Sequence, residues 1–169
     1  MVGIRLATHA DLEPALRMRA AAWRESYAGL VPTAAIDAHT AALPASLAHW
    51  PRRLDEGASL WVRAEAPLPD DPRLHQMVLA YLSDISLLAV ATVPHQVEFM
   101  SPSLQAASID HSMWFHRPAR ADEWLLYDQV SPSASSGLGF SLGRLFSGDR
   151  LVASCAQEGL IRVIDRPNA

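Results

Sequence analysis

The chain has 169 residues, of which 50% are hydrophobic and 19% charged, with a formal net charge of −4 at pH 7. This length is enough for one domain with a buried core, and the composition is that of a soluble globular protein. The acidic balance argues against nucleic-acid binding, which needs a basic face. A single cysteine, Cys155, cannot form an intrachain disulfide, so we predict a reducing, cytoplasmic location.

The sequence gives no sign of a membrane or secretory segment. We identify no apolar run near the roughly 18 residues of a membrane span. The start, MVGIRLATHADLEP, lacks a basic stretch followed by an apolar one, so it does not resemble a secretory signal. We therefore expect no membrane insertion.

The first third of the chain predicts one strand followed by helices. Val2 to Ala7 alternates like a short strand, and Asp11 to Tyr27 carries apolar residues on one helical face. Gly29 ends this helix. A second helix is predicted from Thr33 to Ala42, and a third, short one from Ala45 to Leu54.

This front segment resembles the N-terminus of a Gcn5-related N-acetyltransferase. The resemblance is carried by IRLATHADLEPALRMRAAAWRESYAGLVP, from Ile4 to Pro32, and weakens towards Gly57. That family holds the acetyl-CoA pyrophosphate in an Arg/Gln-x-x-Gly-x-Gly/Ala loop that opens a helix. The one Gly-x-Gly of this chain is Gly137-Leu138-Gly139, with Ala134 in place of the Arg or Gln and a strand-like sequence after it. We therefore interpret residues 1–57 as an incomplete acetyltransferase-like segment and regard acetyl transfer as the least favoured function.

The stretch from Asp70 to Leu88, DDPRLHQMVLAYLSDISLL, predicts one long amphipathic helix. Asp70 or Asp71 can cap its N-terminus, with Pro72 just inside. Its apolar residues recur at three- and four-residue spacing: Leu74, Met77, Val78, Tyr81, Leu82, Ile85 and Leu88. Asp84 falls at the edge of this stripe, where a carboxylate needs a hydrogen bond or its pKa rises. Either this residue ties down a loop or it is a catalytic carboxylate.

Strand-like segments lie on both sides of this helix. They are Leu60–Ala64, Val97–Met100, Leu104–Asp110, Met113–His116, Trp124–Val130, Leu138–Phe146 and Leu151–Ile164. The sequence between the last two, Ser147-Gly148-Asp149, is typical of a hairpin loop. One long helix against mostly antiparallel strands predicts an α+β domain over residues 58–169.

From Leu60 to Arg162 the chain resembles the C-terminal half of an acyl-CoA thioesterase II. The matching words are WVRA, LPDDPRLHQ, AYLSD, SIDHSMWFHRP, EWLLYDQVSPSAS and LVASCAQEGLIR. The resemblance implies a hot-dog fold, in which a sheet curls around a central helix, and the hydrolysis of fatty acyl-CoA without a cofactor.

The resemblance also implies a catalytic trio. The family uses an Asp on the helix, a Thr or Ser before Ile-Asp-His, and a Gln before Glu-Gly, which correspond here to Asp84, Ser108 and Gln157. Ser108 and Gln157 would hold a water molecule while Asp84 accepts its proton. From the residues alone, the favoured interpretation of Ser108 and Gln157 is that of polar groups satisfied within the sheet, and only the resemblance favours catalysis. We place Ser108 on one strand face with Leu104, Ala106 and Asp110.

Five further residues are candidates for binding the substrate: His111, Trp114, Arg117, Gly137 and Gly139. The arginines Arg117, Arg120, Arg144 and Arg162 could also meet CoA phosphates. His111 and His116 are five apart in an extended segment and so point to opposite faces, which argues against a metal site.

Two features separate the chain from that family. Leu138-Gly139 replaces the usual Arg-Gly after the Ser-rich turn, and the chain carries one hot-dog unit where the family has two. A lone unit leaves an edge strand open, so we predict a homodimer. The alternative function is a non-catalytic acyl-CoA-binding or dimerisation module, which would not release CoA thiol.

Overall fold

A computed structural model describes residues 2–6, 8–11 and 59–164, together with isolated positions between 14 and 37. The strands in these residues are β1 (Val2–Leu6), β2 (Ser59–Ala64), β3 (Leu104–Ser108), β4 (Ser112–Phe115), β5 (Leu125–Ser135), β6 (Leu138–Ser147) and β7 (Arg150–Val163). The one long helix described is α1 (Pro72–Leu87), and short 3-10 helices cover His9–Asp11 and Leu88–His95.

The strands form a single antiparallel sheet in the order β1-β2-β5-β6-β7-β3, with β4 also paired to β7. Tight turns join β5 to β6 and β6 to β7. In the first, Ser136 and Gly137 both have positive φ, 55° and 78°, which gives the twist that a two-residue hairpin needs. The Gly-x-Gly at this turn therefore lies in a β-hairpin and does not open a helix.

The core lies between α1 and the concave face of the sheet. Leu79, Leu82 and Leu87 of the helix pack against buried sheet residues that include Leu60, Val62, Leu125, Tyr127, Leu145, Val152 and Cys155. Burying these side chains supplies the main stabilisation of the fold. The arrangement confirms the predicted α+β class with the helix inside the sheet.

The helix is found where the sequence predicts it, but its buried face is different. Asp71 caps it, because Asp71 Oδ1 accepts from Arg73 N at 2.9 Å. Met77, Tyr81 and Ile85, which we expected in the apolar stripe, are 62%, 63% and 43% exposed. The buried face instead consists of His75, Leu79, Leu82, Ser83 and Leu87. Because the helix is apolar almost all round, its periodicity did not identify the face that meets the sheet.

The segment after the helix corrects a second prediction. Val97–Met100 is not a strand. The chain continues from α1 into the 3-10 helix Leu88–His95, which contains Pro94, and leaves it at Gln96 with a positive φ of 54°. Proline removes one backbone donor and disfavours continued α-helix. The residues that follow Pro94 therefore leave the helix, and Val97–Met100 forms turns and irregular structure instead of a strand.

The front of the chain contributes to the sheet. Strand β1 pairs antiparallel with β2, with Ile4 opposite Val62, and Arg5 donates two hydrogen bonds to the Asp11 carboxylate, both of 2.9 Å. The described positions between 14 and 37 that are helical are Pro14, Arg17, Ala21, Arg24, Glu25, Thr33, Ala34 and Asp37, in agreement with the first two predicted helices. The third, Ala45–Leu54, lies outside the described residues, and the domain boundary at residues 57 and 58 stays a prediction.

One helical run, Pro72–His95, is long and apolar enough by length and composition to cross a membrane. This corrects the expectation that the chain has no apolar run near the length of a membrane span. It contains α1, whose residues Leu79, Leu82 and Leu87 are buried against the sheet. Packing in the core therefore accounts for the buried part of this run, whereas Met77, Tyr81 and Ile85 on the same helix are exposed.

Candidate active site

The structure brings together the three residues of the predicted trio. Gln157 Nε2 donates to Asp84 Oδ1 at 2.6 Å and to Ser108 Oγ at 3.2 Å. These residues come from three elements, namely α1, β3 and β7. One side-chain amide thus uses its two hydrogens to link the carboxylate to the hydroxyl.

The three side chains differ in their exposure. Gln157 is fully buried, whereas Asp84 and Ser108 are exposed in the single chain. Gln157 Oε1 is buried and has no hydrogen-bond partner among the described residues. The carboxylate and the hydroxyl are therefore accessible to a reactant, while the amide is fixed beneath them.

Hydrogen bonds to neighbouring residues hold the Asp84 end of α1 in place. Tyr127 Oη donates to the carbonyl oxygen of Ser83 at 2.6 Å and lies 3.2 Å from Cys155 Sγ. Burial raises the pKa of the Tyr127 hydroxyl far above its ordinary value, so this donor stays protonated. Burial also raises the pKa of the Cys155 thiol. Neither Tyr127 nor Ser83 was singled out from the sequence, because their partners lie far away along the chain.

A second hydrogen bond reaches the same turn of α1 from His111, the residue before β4. Ser83 Oγ donates to Ala80 O at 2.9 Å and lies 3.1 Å from His111 Nε2. His111 Nε2 and Ser83 Oγ thus share a hydrogen bond. His111 therefore contacts the residue that precedes Asp84 in the sequence. His116 instead contacts Ser154, at 2.9 Å. Met113 packs in the core with the helix, which places His111 and His116 on opposite faces as predicted.

A β-bulge separates β3 from β4. Ser108 lies opposite Gly159, and Ser112 lies opposite Ala156, so β3–β4 advances one residue more than β7. Ile109 N and Asp110 N both donate to Glu158 O, at 3.0 and 3.3 Å. Asp110 is therefore not on the strand face of Ser108, in contrast to the sequence-based placement, because the bulge interrupts the alternation.

Strand β3 has an open edge in the described part of the sheet. Ile164 N donates to Ser103 O at 2.8 Å, and Ile109 N donates to Glu158 O at 3.0 Å. Hydrogen-bonded and non-bonded pairs alternate along an antiparallel ladder. The peptide groups of Ala106 and Ser108 therefore point away from β7, next to the trio.

The other predicted substrate residues do not join the trio. Trp114 is 53% exposed on the face of β4 opposite Met113. Arg117 Nη1 donates to Leu151 O at 2.9 Å, and Arg117 Nε lies 3.3 Å from Glu25 Oε1. The predicted contacts of Trp114 and Arg117 with the substrate stay predictions.

The two glycines predicted to bind substrate, Gly137 and Gly139, each meet a requirement of the fold. Gly137 occupies the β5–β6 turn with positive φ, which suits glycine. A Cβ on Gly139 would lie 2.5 Å from Ala91 Cβ and 2.9 Å from Ile161 Cδ1. Gly139 therefore allows the 3-10 helix after α1 to approach the sheet, and a role in binding substrate stays a prediction.

The remaining arginines named from the sequence divide into two groups. Arg120 pairs with Asp122 at 2.9 Å and with Asp70 at 3.3 Å, and Arg144 pairs with the buried Asp128. Arg162 is exposed beside the Gly137 turn. No group of three or more metal-ligating side chains occurs in the described ranges.

Comparison with known proteins agrees with this fold. The structure resembles the crystal structure of an acyl-CoA thioesterase II from Mycobacterium marinum, with a TM-score of 0.58 and 53% identity over 62% of this chain and 41% of that one. The fold is thus a hot-dog fold of the thioesterase type. The acyl-CoA thioesterase family profile matches residues 46–160. The chain belongs to the acyl-CoA thioesterase family.

Two sequence relatives point the same way. Human acyl-coenzyme A thioesterase 8 is 44% identical over 118 residues, which are 66% of this chain and 35% of that protein. Acyl-CoA thioesterase 2 of Haemophilus influenzae is 40% identical over 103 residues, or 60% of this chain and 36% of that protein. The chain therefore spans about a third of the length of the relatives it matches.

Proposed function

We propose that the protein hydrolyses fatty acyl-CoA to a free fatty acid and CoA. The observation that carries the proposal is the pair of hydrogen bonds from Gln157 to Asp84 and Ser108. Membership of the acyl-CoA thioesterase family supports the substrate class. The reaction needs no cofactor, because water, a general base and hydrogen-bond donors are enough for thioester hydrolysis.

In the proposed reaction Asp84 is the general base. A water molecule held by Ser108 Oγ attacks the thioester carbonyl carbon while Asp84 takes one of its protons. The tetrahedral intermediate then collapses, the C–S bond breaks, and the CoA thiolate recovers the proton from Asp84. Gln157 keeps the carboxylate and the hydroxyl at a fixed separation through both steps. General-base assistance of this kind contributes about 10²–10⁴ in rate.

Ser108 is better suited to binding water than to acting as a nucleophile. A serine nucleophile needs an adjacent base that removes its proton. In the described part of the chain Ser108 Oγ is bonded to Gln157, which is not a base, and His111 is bonded to Ser83 instead. Direct attack by water therefore fits the contacts better than a covalent acyl-enzyme.

We also propose that two copies form a homodimer through β3. The outward-facing peptide groups of Ala106 and Ser108 offer donors and acceptors to a second strand. On α1, Met77, Tyr81 and Ile85 form an exposed apolar row, at 62%, 63% and 43% exposure. An apolar row of this kind favours coverage by another protein surface. A second copy would also restore the pair of hot-dog units expected for the family.

One alternative remains, a module that binds acyl-CoA or dimerises without catalysis. It is favoured by the chain matching only about a third of the length of these relatives, so that their sites can draw on residues outside the matched part. Thiol release separates the two functions directly. The cytoplasmic location stays a prediction, to be tested by cell fractionation.

The test is the release of CoA thiol from a medium- or long-chain acyl-CoA. Wild type, Asp84→Asn and a control variant, Asp149→Asn, are compared on material from the same size-exclusion peak. Asp149 is an exposed carboxylate in the β6–β7 turn. We expect turnover in the wild type and the control, and a loss of about 10²–10⁴-fold in Asp84→Asn. Turnover retained in Asp84→Asn would contradict the general-base role, and no turnover in folded wild type would favour the binding module.

A further inference from the structure

The bulge between β3 and β4 is held by backbone hydrogen bonds and by a hydrogen bond to the Asp110 side chain. Ile109 N and Asp110 N both donate to Glu158 O. In return, Glu158 N donates to Asp110 Oδ1 at 2.8 Å. The Asp110 carboxylate thus accepts the backbone donor of β7 at the point where the ladder is interrupted.

This bulge decides which residues reach the catalytic face. Ser108 lies before it and contacts Gln157, while His111 lies after it and contacts Ser83. Side chains three apart in a regular strand point to opposite faces. The extra residue of the bulge brings both side chains to the face that carries α1.

The bond at Asp110 is also adjacent to Gln157. Glu158 is the next residue in β7, so the peptide between them carries the N–H that Asp110 accepts. Fixing this peptide fixes the direction in which the Gln157 side chain leaves the strand. Asp110 itself contacts neither Asp84 nor Ser108 among the hydrogen bonds of the described residues.

We propose that Asp110 is a positioning residue for thioester hydrolysis, because its hydrogen bond to Glu158 N–H holds the bulge that aligns Ser108 and Gln157. The inference rests on the proposed function. It assigns Asp110 a role as a hydrogen-bond acceptor, for which its charge is not required.

Three substitutions separate this role from a chemical one. Asp110→Asn keeps an oxygen that can accept from Glu158 N–H, whereas Asp110→Ala removes it and Asp110→Glu moves the carboxylate by one methylene. We expect Asp110→Asn to stay within about threefold of wild-type kcat. We expect Asp110→Ala and Asp110→Glu to lose about 10- to 100-fold in kcat with little change in KM, as small misplacements of catalytic groups do.

Two outcomes would overturn the proposal. Wild-type kcat in folded Asp110→Ala would show that the bulge does not depend on this bond. A loss in Asp110→Asn as large as in Asp110→Ala, with Asp110→Glu active, would assign the carboxylate a part in the chemistry instead. The comparison of Asp110→Asn with Asp110→Glu remains decisive if Asp110→Ala fails to fold.

A measurement that needs no turnover keeps this test separate from the proposed function. Amide hydrogen exchange at Glu158 and the side-chain NH₂ resonances of Gln157 are recorded by NMR. We expect protection of Glu158 N–H and unchanged Gln157 signals in Asp110→Asn, and faster exchange with shifted signals in Asp110→Glu. Identical spectra in all variants would contradict the positioning role, even for a protein that lacks thioesterase activity.

Discussion

The side-chain amide of Gln157 donates to the carboxylate of Asp84 across 2.6 Å, although the two residues are 73 positions apart in the chain. The same nitrogen reaches Ser108 Oγ at 3.2 Å. A neutral amide is the only group of the three that can donate to both others without adding charge. Because the Gln157 amide is buried beneath these two exposed groups, it holds both of them in position.

This arrangement predicts a distinct result for two substitutions of Gln157. Gln157→Leu removes both bonds, and we expect kcat to fall by about 10²-fold because the base and the hydroxyl lose their alignment. Gln157→Glu places a second carboxylate against Asp84, so one of the two binds a proton more tightly and its pKa rises. We therefore expect the remaining activity of Gln157→Glu to increase as the pH is raised. At high pH it should exceed the activity of Gln157→Leu.

The measurement is kcat against pH for both variants and for Gln105→Glu. Gln105 is an exposed glutamine on β3, so its replacement controls for the added charge. An unchanged pH profile in Gln157→Glu would argue against contact between residues 157 and 84.

The open edge of β3 predicts the effect of proline at two adjacent positions. The N–H of Ala106 points away from β7, so Ala106→Pro removes a donor that only a second chain would use. We expect it to convert a dimer to a monomer, as measured by light scattering after size exclusion. Ala107 faces β7 in the ladder, so Ala107→Pro should lower the unfolding midpoint instead. A wild type that is monomeric at working concentrations would contradict the homodimer.

Gly139 predicts a loss of stability on substitution. In Gly139→Ala the new Cβ would lie 2.5 Å from Ala91 Cβ, and overpacking of this kind costs typically about 1–3 kcal/mol. Denaturant unfolding of Gly139→Ala is compared with Gly3→Ala, in which the nearest atom is Arg63 Cγ at 3.3 Å. A raised KM with unchanged stability would instead support the sequence-based prediction that Gly139 contacts substrate.

The loop before α1 predicts a dependence of stability on pH. Asp122 accepts from Leu68 N at 2.8 Å and from Arg120 at 2.9 Å, and the hydrogen bond from Arg120 is the main cause that holds the pKa of Asp122 well below its usual range. A carboxyl whose folded pKa is lowered stabilises the fold above its unfolded pKa, and this contribution is lost as pH falls towards the folded pKa.

We therefore expect Asp122→Asn to have a lower unfolding midpoint than wild type at pH 7, with a gap that narrows as pH falls below 4. Thermal unfolding between pH 7 and pH 3 tests this, with Asp149→Asn as the matched control. A gap that stays constant over this range would show that the charge of Asp122 does not stabilise the loop.

Much of the fold could be predicted from local signals, whereas the site residues were expected from the resemblance to a known family. The DDPRLHQ segment contains an N-cap and a proline at the first turn, and α1 begins at Pro72. The strands around LWVRA and the segment from Leu138 to Ile164 were also predicted to within a few residues. These signals depend on residues that are close together in the sequence, so they can be recognised without the tertiary structure.

The sequence by itself determined the α+β class and the long helix, since periodicity depends on near neighbours, while the three residues of the trio were expected only from the resemblance to the thioesterase family. Tertiary structure decided which face of α1 is buried, because an almost uniformly apolar helix specifies no single face. It also decided that Asp110 leaves the strand face of Ser108, since a bulge depends on the register of β3 and β4 against β7. Above all it brought Gln157 to Asp84, because pairing between distant segments is set by packing of the whole sheet around the helix.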